Sequence, residues 1–206
     1  MTRLLALEGI DGAGKSTLGR ALRDALGGST GLVTRPAAHI LASFRQVAES
    51  PDDESVLYQD VIPPDLRRLA QLIELAVQLR YRADAFTTAG VVVFDRWVQT
   101  AAIYCGGYGA HREWLERIEA DLPRPTPLFH VRVPAELAVE RLVARGDRWA
   151  RIYPRPVLED KVARLVDAYD EVFATCPHVP LDGTAPPGVL LAEALAAVEA
   201  GVSRGP

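Results

Sequence analysis

LEGIDGAGKST, residues 7–17, is the stretch on which the reading of this chain turns. Within it Gly9, Ile10, Asp11, Gly12, Ala13, Gly14, Lys15 and Ser16 fit the pattern G-x-x-x-x-G-K-S/T, and Thr17 follows. Glycines at the ends of that pattern let successive backbone N–H groups turn toward one anion. A helix that starts there adds the positive end of its dipole. Lys15 supplies a point charge for β- and γ-phosphates, and the Ser16 hydroxyl is a ligand for Mg²⁺. The flanks agree. Residues 3–7 form an apolar run that suits a strand buried on both faces. After the cradle, Leu18, Ala21, Leu22, Ala25 and Leu26 fall at helical spacing until Gly27-Gly28 stops them. Strand, glycine turn and helix in that order predict that residues 9–17 hold the phosphates of a nucleoside triphosphate with Mg²⁺.

Outward from the cradle, strands are expected at 31–36, 91–95, 127–133 and 179–183. Helices are expected near 39–49, 64–88, 97–104, 111–121, 134–146, 157–174 and 186–200. VVVFD at 91–95 is the plainest strand, with three consecutive β-branched residues. Strands alternating with helices imply an α/β P-loop fold: a five-stranded parallel sheet flanked by helices. We read residues 1–206 as one domain, with an arginine-rich stretch at about 145–156 between two of the helices.

With 206 residues, 49% of them hydrophobic, the chain can bury a sizeable core. Its net charge of -4 offers no basic footprint for nucleic acid. No apolar run approaches the ~20 residues that span a bilayer, and the start of the chain lacks the pattern of a signal peptide. Cys105 and Cys176 have no metal-ligand spacing and read as reduced thiols of a cytoplasmic protein.

The chemistry can be narrowed further. A GTPase reads guanine with N-K-x-D, and this chain has no Asn. A motor ATPase follows its second acidic strand with Asp or Glu, whereas Asp95 is followed by Arg96. An arginine at the C-terminal mouth of a parallel strand makes a second anion site beside the first, as transfer to a phosphate acceptor requires. Arg141, Arg145, Arg148, Arg151 and Arg155 recur every three or four residues, so several can share a face and neutralise a transferred phosphoryl group.

Taken together, these segments resemble the thymidylate kinase family of nucleoside monophosphate kinases. LEGIDGAGKST is similar to that family's phosphate cradle, and VVVFDRWVQTAAIY to its Asp-Arg-aromatic segment with a Tyr at a fixed distance. VARGDRWAR resembles its arginine-bearing lid, LVDAYDEVF the helix after the lid, and VPLDGTAPPGVLLAEAL the closing strand and helix. The resemblance implies transfer of the ATP γ-phosphate to a (deoxy)nucleoside monophosphate and a homodimer packed through helices. It also implies roles. Asp11 would contact the acceptor's sugar and help order Mg²⁺, and Asp95 would lie near the metal with Ser16. Arg96 and Arg35 would bind the acceptor phosphate, and Tyr104 would pack against the sugar's 2′ position. Because residue 12 is Gly, the catalytic arginine is expected in the lid, at Arg148 or Arg151.

Three departures gather on acceptor recognition. Leu75 stands near the place where the family has a base-reading Arg, Cys105 follows Tyr104 where a Gln is common, and the segment after the second strand is shortened to Arg-Pro-Ala-Ala. Gln71, Glu74 and Gln78 share a helical face and offer amide and carboxylate groups to a base instead. Two other readings stay open. One is a nucleoside kinase using Glu8 as the base toward a 5′-hydroxyl, and the other is a nucleotide-binding regulator without catalysis.

Overall fold

Leu5, Ala6 and Leu7 have no polar face to offer water, and all three are completely buried at the centre of a sheet. In the computed structural model the chain is described over residues 2–34, 38–48, 57–81, 89–106 and 111–202. The strands are β1 (Arg3–Glu8), β2 (Thr30–Thr34), β3 (Val91–Asp95), β4 (Leu128–Arg132) and β5 (Val179–Asp182). They pair in parallel throughout, in the order β2-β3-β1-β4-β5. From β1 the chain builds to one side, through β2 and β3, and then returns to the other for β4 and β5. The loop after β1 therefore lies where the winding reverses, the place at which open α/β sheets bind ligands.

Register sharpens that placement. Leu7 pairs with Asp95, and Thr34 pairs with Asp95 from the other side. Three neighbouring strands thus end at one level and release their loops together.

The helices are α1 (Lys15–Leu26), α2 (Ala38–Ala48), α3 (Tyr58–Val61), α4 (Pro64–Tyr81), α5 (Val98–Cys105), α6 (Arg112–Asp121), α7 (Ala135–Ala144), α8 (Arg148–Ile152), α9 (Arg155–Thr175) and α10 (Pro187–Val202). Their apolar stripes meet the sheet. Leu18 and Leu22 of α1, Val139 and Leu142 of α7, and Leu158 and Val162 of α9 join one continuous core. Between β4 and α9 an aromatic stack of His130, Tyr169 and Phe173, with the His178 ring edge-on, fills the space. The short helix α3 has no counterpart in the periodicity, because one turn is too short to show a repeat. The long helix α4 was expected to reach residue 88; residues 82–88 lie outside the described residues, as do 35–36 of the second strand. Among the described residues no helix is long and apolar enough to cross a membrane.

Candidate active site

The cradle needs two backbone approaches that a side chain would block. A Cβ on Gly9, at φ +143, would stand 2.4 Å from the Val131 carbonyl oxygen, and one on Gly12, at φ +88, 2.9 Å from that of Ala138. Glycine alone suits both positions. Lys15 is buried and its ammonium donates to the Ile10 carbonyl at 2.7 Å, so the charge sits inside the loop. Burial, and then the nearby Arg96, push its pKa down from 10.5 to about 8. The cradle opens on a cleft of about 440 Å³ that Lys15, Thr17, Arg141, Arg145, Gly183 and Pro187 help to line. Arg141 donates to the carbonyls of Gly12 (3.0 Å) and Gly183 (3.1 Å), strapping the cradle to the turn after β5. Its place in the run of arginines suggested a lid cation, but the structure makes it a strut.

At the bottom of the cradle the Ser16 hydroxyl donates to Asp95 Oδ2 at 2.5 Å. The other oxygen of that buried carboxylate, Oδ1, has no hydrogen-bond partner among the described residues. An oxygen pair of this kind, one unpartnered and one on a serine hydroxyl, fits a hard divalent cation such as Mg²⁺. Among the described residues no group of three or more His, Cys, Asp or Glu could hold a metal ion. Mg²⁺ takes few protein ligands and keeps phosphate and water oxygens for the rest.

Beside the cradle lies a second cleft, of about 470 Å³. The register that ends β1 and β3 together brings Asp11 and Arg96 face to face. Arg96 has φ 91, in the left-handed region, and its N–H donates to the Leu7 carbonyl at 2.9 Å. Its Nη2 donates to Asp11 Oδ1 at 2.6 Å, and the guanidinium lies 5.2 Å from the centre of the Tyr104 ring. The Tyr104 hydroxyl donates to Asp11 Oδ2 at 2.8 Å and accepts from the Asp11 N–H at 3.2 Å. Burial alone would raise the Asp11 pKa, but Arg96, with Lys15, outweighs it and holds the carboxyl well below its usual range. Burial and the Asp11 charge push the Tyr104 phenol far above 10. Asp11 thus belongs to the cradle by sequence and to the second cleft by geometry.

The wall of that cleft comes from α4 and α5. Gln71 lines it and its amide N–H donates to Cys105 Sγ at 3.5 Å; Leu75 also lines it. Glu74 faces elsewhere. It accepts from the backbone N–H groups of His39 (3.2 Å) and Ile40 (2.7 Å) and from the Gln78 amide (2.9 Å), and so caps α2. Of the three polar groups expected on one face of the long helix, only Gln71 lines the cleft.

The lid residues separate in the same way. Asp147 caps α8 by accepting from the Trp149 N–H at 3.1 Å, and its other oxygen holds Arg145 at 2.7 Å. Arg145 lines both clefts and reaches to 4.0 Å from Asp11. Arg148 lines the second cleft only, while Arg151 is exposed and lines neither. Arg35 lies outside the described residues. Glu8 is fully buried and accepts from the Trp97 N–H (2.8 Å), the Thr100 N–H (3.0 Å), the Thr100 hydroxyl (2.5 Å) and the Tyr169 hydroxyl (3.2 Å). Burial raises its pKa even so. It caps α5 from the end of the neighbouring strand β1 and lines neither cleft. Nothing local in the sequence marks Thr100 or Tyr169 as its partners, because the contacts join residues 92 and 161 positions apart.

Comparisons with known proteins point to one family. The family model described as thymidylate kinase matches residues 7–174. A thymidylate kinase of Xanthomonas campestris pv. campestris is 30% identical over 152 residues, covering 70% of this chain and 62% of that protein. A relative from Aeropyrum pernix, provisionally named thymidylate kinase, is 27% identical over 179 residues, covering 83% of this chain and 78% of its own. A protein of Saccharolobus solfataricus named "Probable thymidylate kinase 1" is 24% identical over 144 residues, with 69% and 71% covered. The aligned stretch thus spans under two thirds of the Xanthomonas protein and more of the two archaeal ones. The chain belongs to the thymidylate kinase family.

Proposed function

We propose that this chain is an ATP-dependent nucleoside monophosphate kinase acting on dTMP or a closely similar deoxynucleotide. One observation carries the reading: the phosphate cradle and the second cleft share a wall, with Asp11 rooted in one and facing the other and Arg145 lining both. A switch or a motor needs one nucleotide site, whereas a kinase needs two that meet. An oxygen of the acceptor phosphate forms the new bond to the γ-phosphorus, and the bond from that phosphorus to the β–γ bridging oxygen breaks, leaving ADP and a diphosphate. The attacking oxygen is already anionic, so no base is required, and a buried Glu8 already engaged by four hydrogen-bond donors suits that chemistry better than transfer to a 5′-hydroxyl.

Lys15 and the cradle N–H groups hold the donor phosphates. Ser16 and Asp95 would hold Mg²⁺, which neutralises charge on the phosphates when bound. Arg96 clamps the acceptor phosphate, exchanging part of its pairing with Asp11 for it, while Asp11 and Tyr104 meet the sugar. Arg145, with Arg148, would neutralise the transferred group. Gln71 is the polar side chain offered to the base. The outer face of α4 exposes Leu66, Ile73 and Val77, each over 40% accessible, which supports a homodimer packed there. A cytoplasmic location accords with use of ATP and a free nucleotide.

The test is ADP release from ATP·Mg²⁺ over a panel of deoxynucleoside monophosphates and deoxynucleosides. Turnover with a monophosphate, dTMP foremost, is the expected result. Turnover with nucleosides alone, or with neither class, overturns the proposal.

A further inference from the structure

We propose that the Thr100 hydroxyl and the Tyr169 phenol are positioning groups that hold the Arg96 side chain from behind, so that it meets the acceptor phosphate pre-oriented. The inference rests on the reading of Arg96 as the acceptor-phosphate clamp.

An arginine carries about 2 kcal/mol of rotamer entropy that must be lost before its fork can grip a phosphate. Arg96 also leaves the sheet from a left-handed backbone conformation, which sets its direction but not its reach. In front it meets Asp11, whose side chain is 37% exposed and whose place at the guanidinium the incoming phosphate contests. The rear contacts are different in kind. Nη1 lies 3.1 Å from Thr100 Oγ1, 3.4 Å from the Tyr169 oxygen and 3.4 Å from the Gly9 carbonyl.

The two hydroxyls are themselves ordered. Thr100 Oγ1 and the Tyr169 oxygen are 2.9 Å apart, and both donate to Glu8 Oε2, at 2.5 and 3.2 Å. The Glu8 carboxylate has only acceptors to offer, so it draws both hydroxyl protons toward itself and leaves their lone pairs facing the guanidinium. Glu8 is buried completely and receives two backbone N–H groups of α5 as well, so it is fixed in place. The Tyr169 ring is clamped in the stack with His130 and Phe173. The rear of Arg96 is therefore bounded by groups from the end of β1, from α5 and from α9, the helix that follows the lid. None of them needs to move when an acceptor enters.

The experiment compares Thr100→Val, Thr100→Ser, Tyr169→Phe and Arg96→Ala with the unaltered chain. It measures kcat and both KM values with ATP·Mg²⁺ and whichever of dTMP, dCMP, dAMP and dGMP is turned over fastest. Thr100→Val and Tyr169→Phe are each expected to raise the acceptor KM about tenfold, the effect of one lost hydrogen bond to a charged group, with the ATP KM held within about twofold. Thr100→Ser, which restores the hydroxyl, is expected to bring the acceptor KM back to within about threefold. A merely structural role would move both KM values together and would not separate Ser from Val. If Arg96→Ala raises the acceptor KM but Thr100→Val and Tyr169→Phe do not, the positioning role is overturned and the clamp stands. If Arg96→Ala leaves the acceptor KM unchanged, the clamp fails and the positioning role fails with it. Should Thr100→Val not fold, Tyr169→Phe decides alone, because it keeps the ring in its stack.

Discussion

Acidification from pH 7 to pH 5 should cost this protein stability through one buried imidazole. The His130 ring packs nearly parallel to both Phe173 (centroids 4.3 Å apart, planes 15°) and Tyr169 (5.6 Å, 14°), with the His178 ring edge-on at 5.8 Å. Burial, and then His178, lower its pKa from the 6.5 of a free imidazole to about 4; Arg132 and Lys15 act in the same direction and Asp170 against it. The folded state therefore takes up this proton only near pH 4, whereas the unfolded chain takes it up near 6.5. Between those values the unfolded chain binds more protons, so stability falls as pH falls. The gap corresponds to about 2 kcal/mol lost at pH 5 relative to pH 7. His130→Phe keeps the aromatic stack and removes the proton site. Urea unfolding of both proteins at pH 7.0 and 5.0 gives the double difference, in which the other titrating groups, Glu8 included, cancel. The pH-dependent loss should be about 2 kcal/mol smaller in the variant. Equal losses in the two proteins would refute the reasoning.

Asp95→Asn can keep an acceptor for the Ser16 hydroxyl but removes the charge from the unpartnered oxygen. Turnover should fall at least about a hundredfold and the Mg²⁺ dependence shift to higher concentration, with acceptor binding by calorimetry unchanged. Gly12→Ala would press a methyl against the Ala138 carbonyl at an unfavourable φ, and should lower stability by about 1–3 kcal/mol in denaturant unfolding. Gln71→Leu should raise the acceptor KM about tenfold and narrow the difference between monophosphates in the panel, with the ATP KM unaltered.

The cradle and the Asp95-Arg96 pair were readable because their chemistry is local: spacing within a dozen residues decides the turn, the helix start and the strand end. The parallel sheet followed from alternation of strands and helices, yet the order β2-β3-β1-β4-β5 did not. Alternation says which elements exist, and not on which side of β1 each one lands. The place of Tyr104 came from the family resemblance, and its bonds to Asp11 appear only in three dimensions. Glu74 illustrates the limit of a helical face. Its spacing matched Gln71, but the N-terminus of α2, brought alongside by the fold, claims its carboxylate. Arg145 was one of five evenly spaced arginines. What distinguishes it is that α7 ends there, at the junction of the two clefts, while Arg141 one turn earlier is occupied by two backbone carbonyls.

The left-handed backbone at Arg96 sets two contributions to stability against each other at one position. A non-glycine residue there carries about 1–2 kcal/mol of conformational strain, which Arg96→Gly would relieve. The same change would strand the Asp11 carboxylate and take the guanidinium away from Thr100 and Tyr169, and losing one partner of a buried ion pair costs about 3–5 kcal/mol. Even with that figure reduced for the partial exposure of Asp11, a screen of variants for heat resistance alone should keep arginine at residue 96. In laboratory evolution of this chain, that codon is guarded by stability as well as by any demand for turnover.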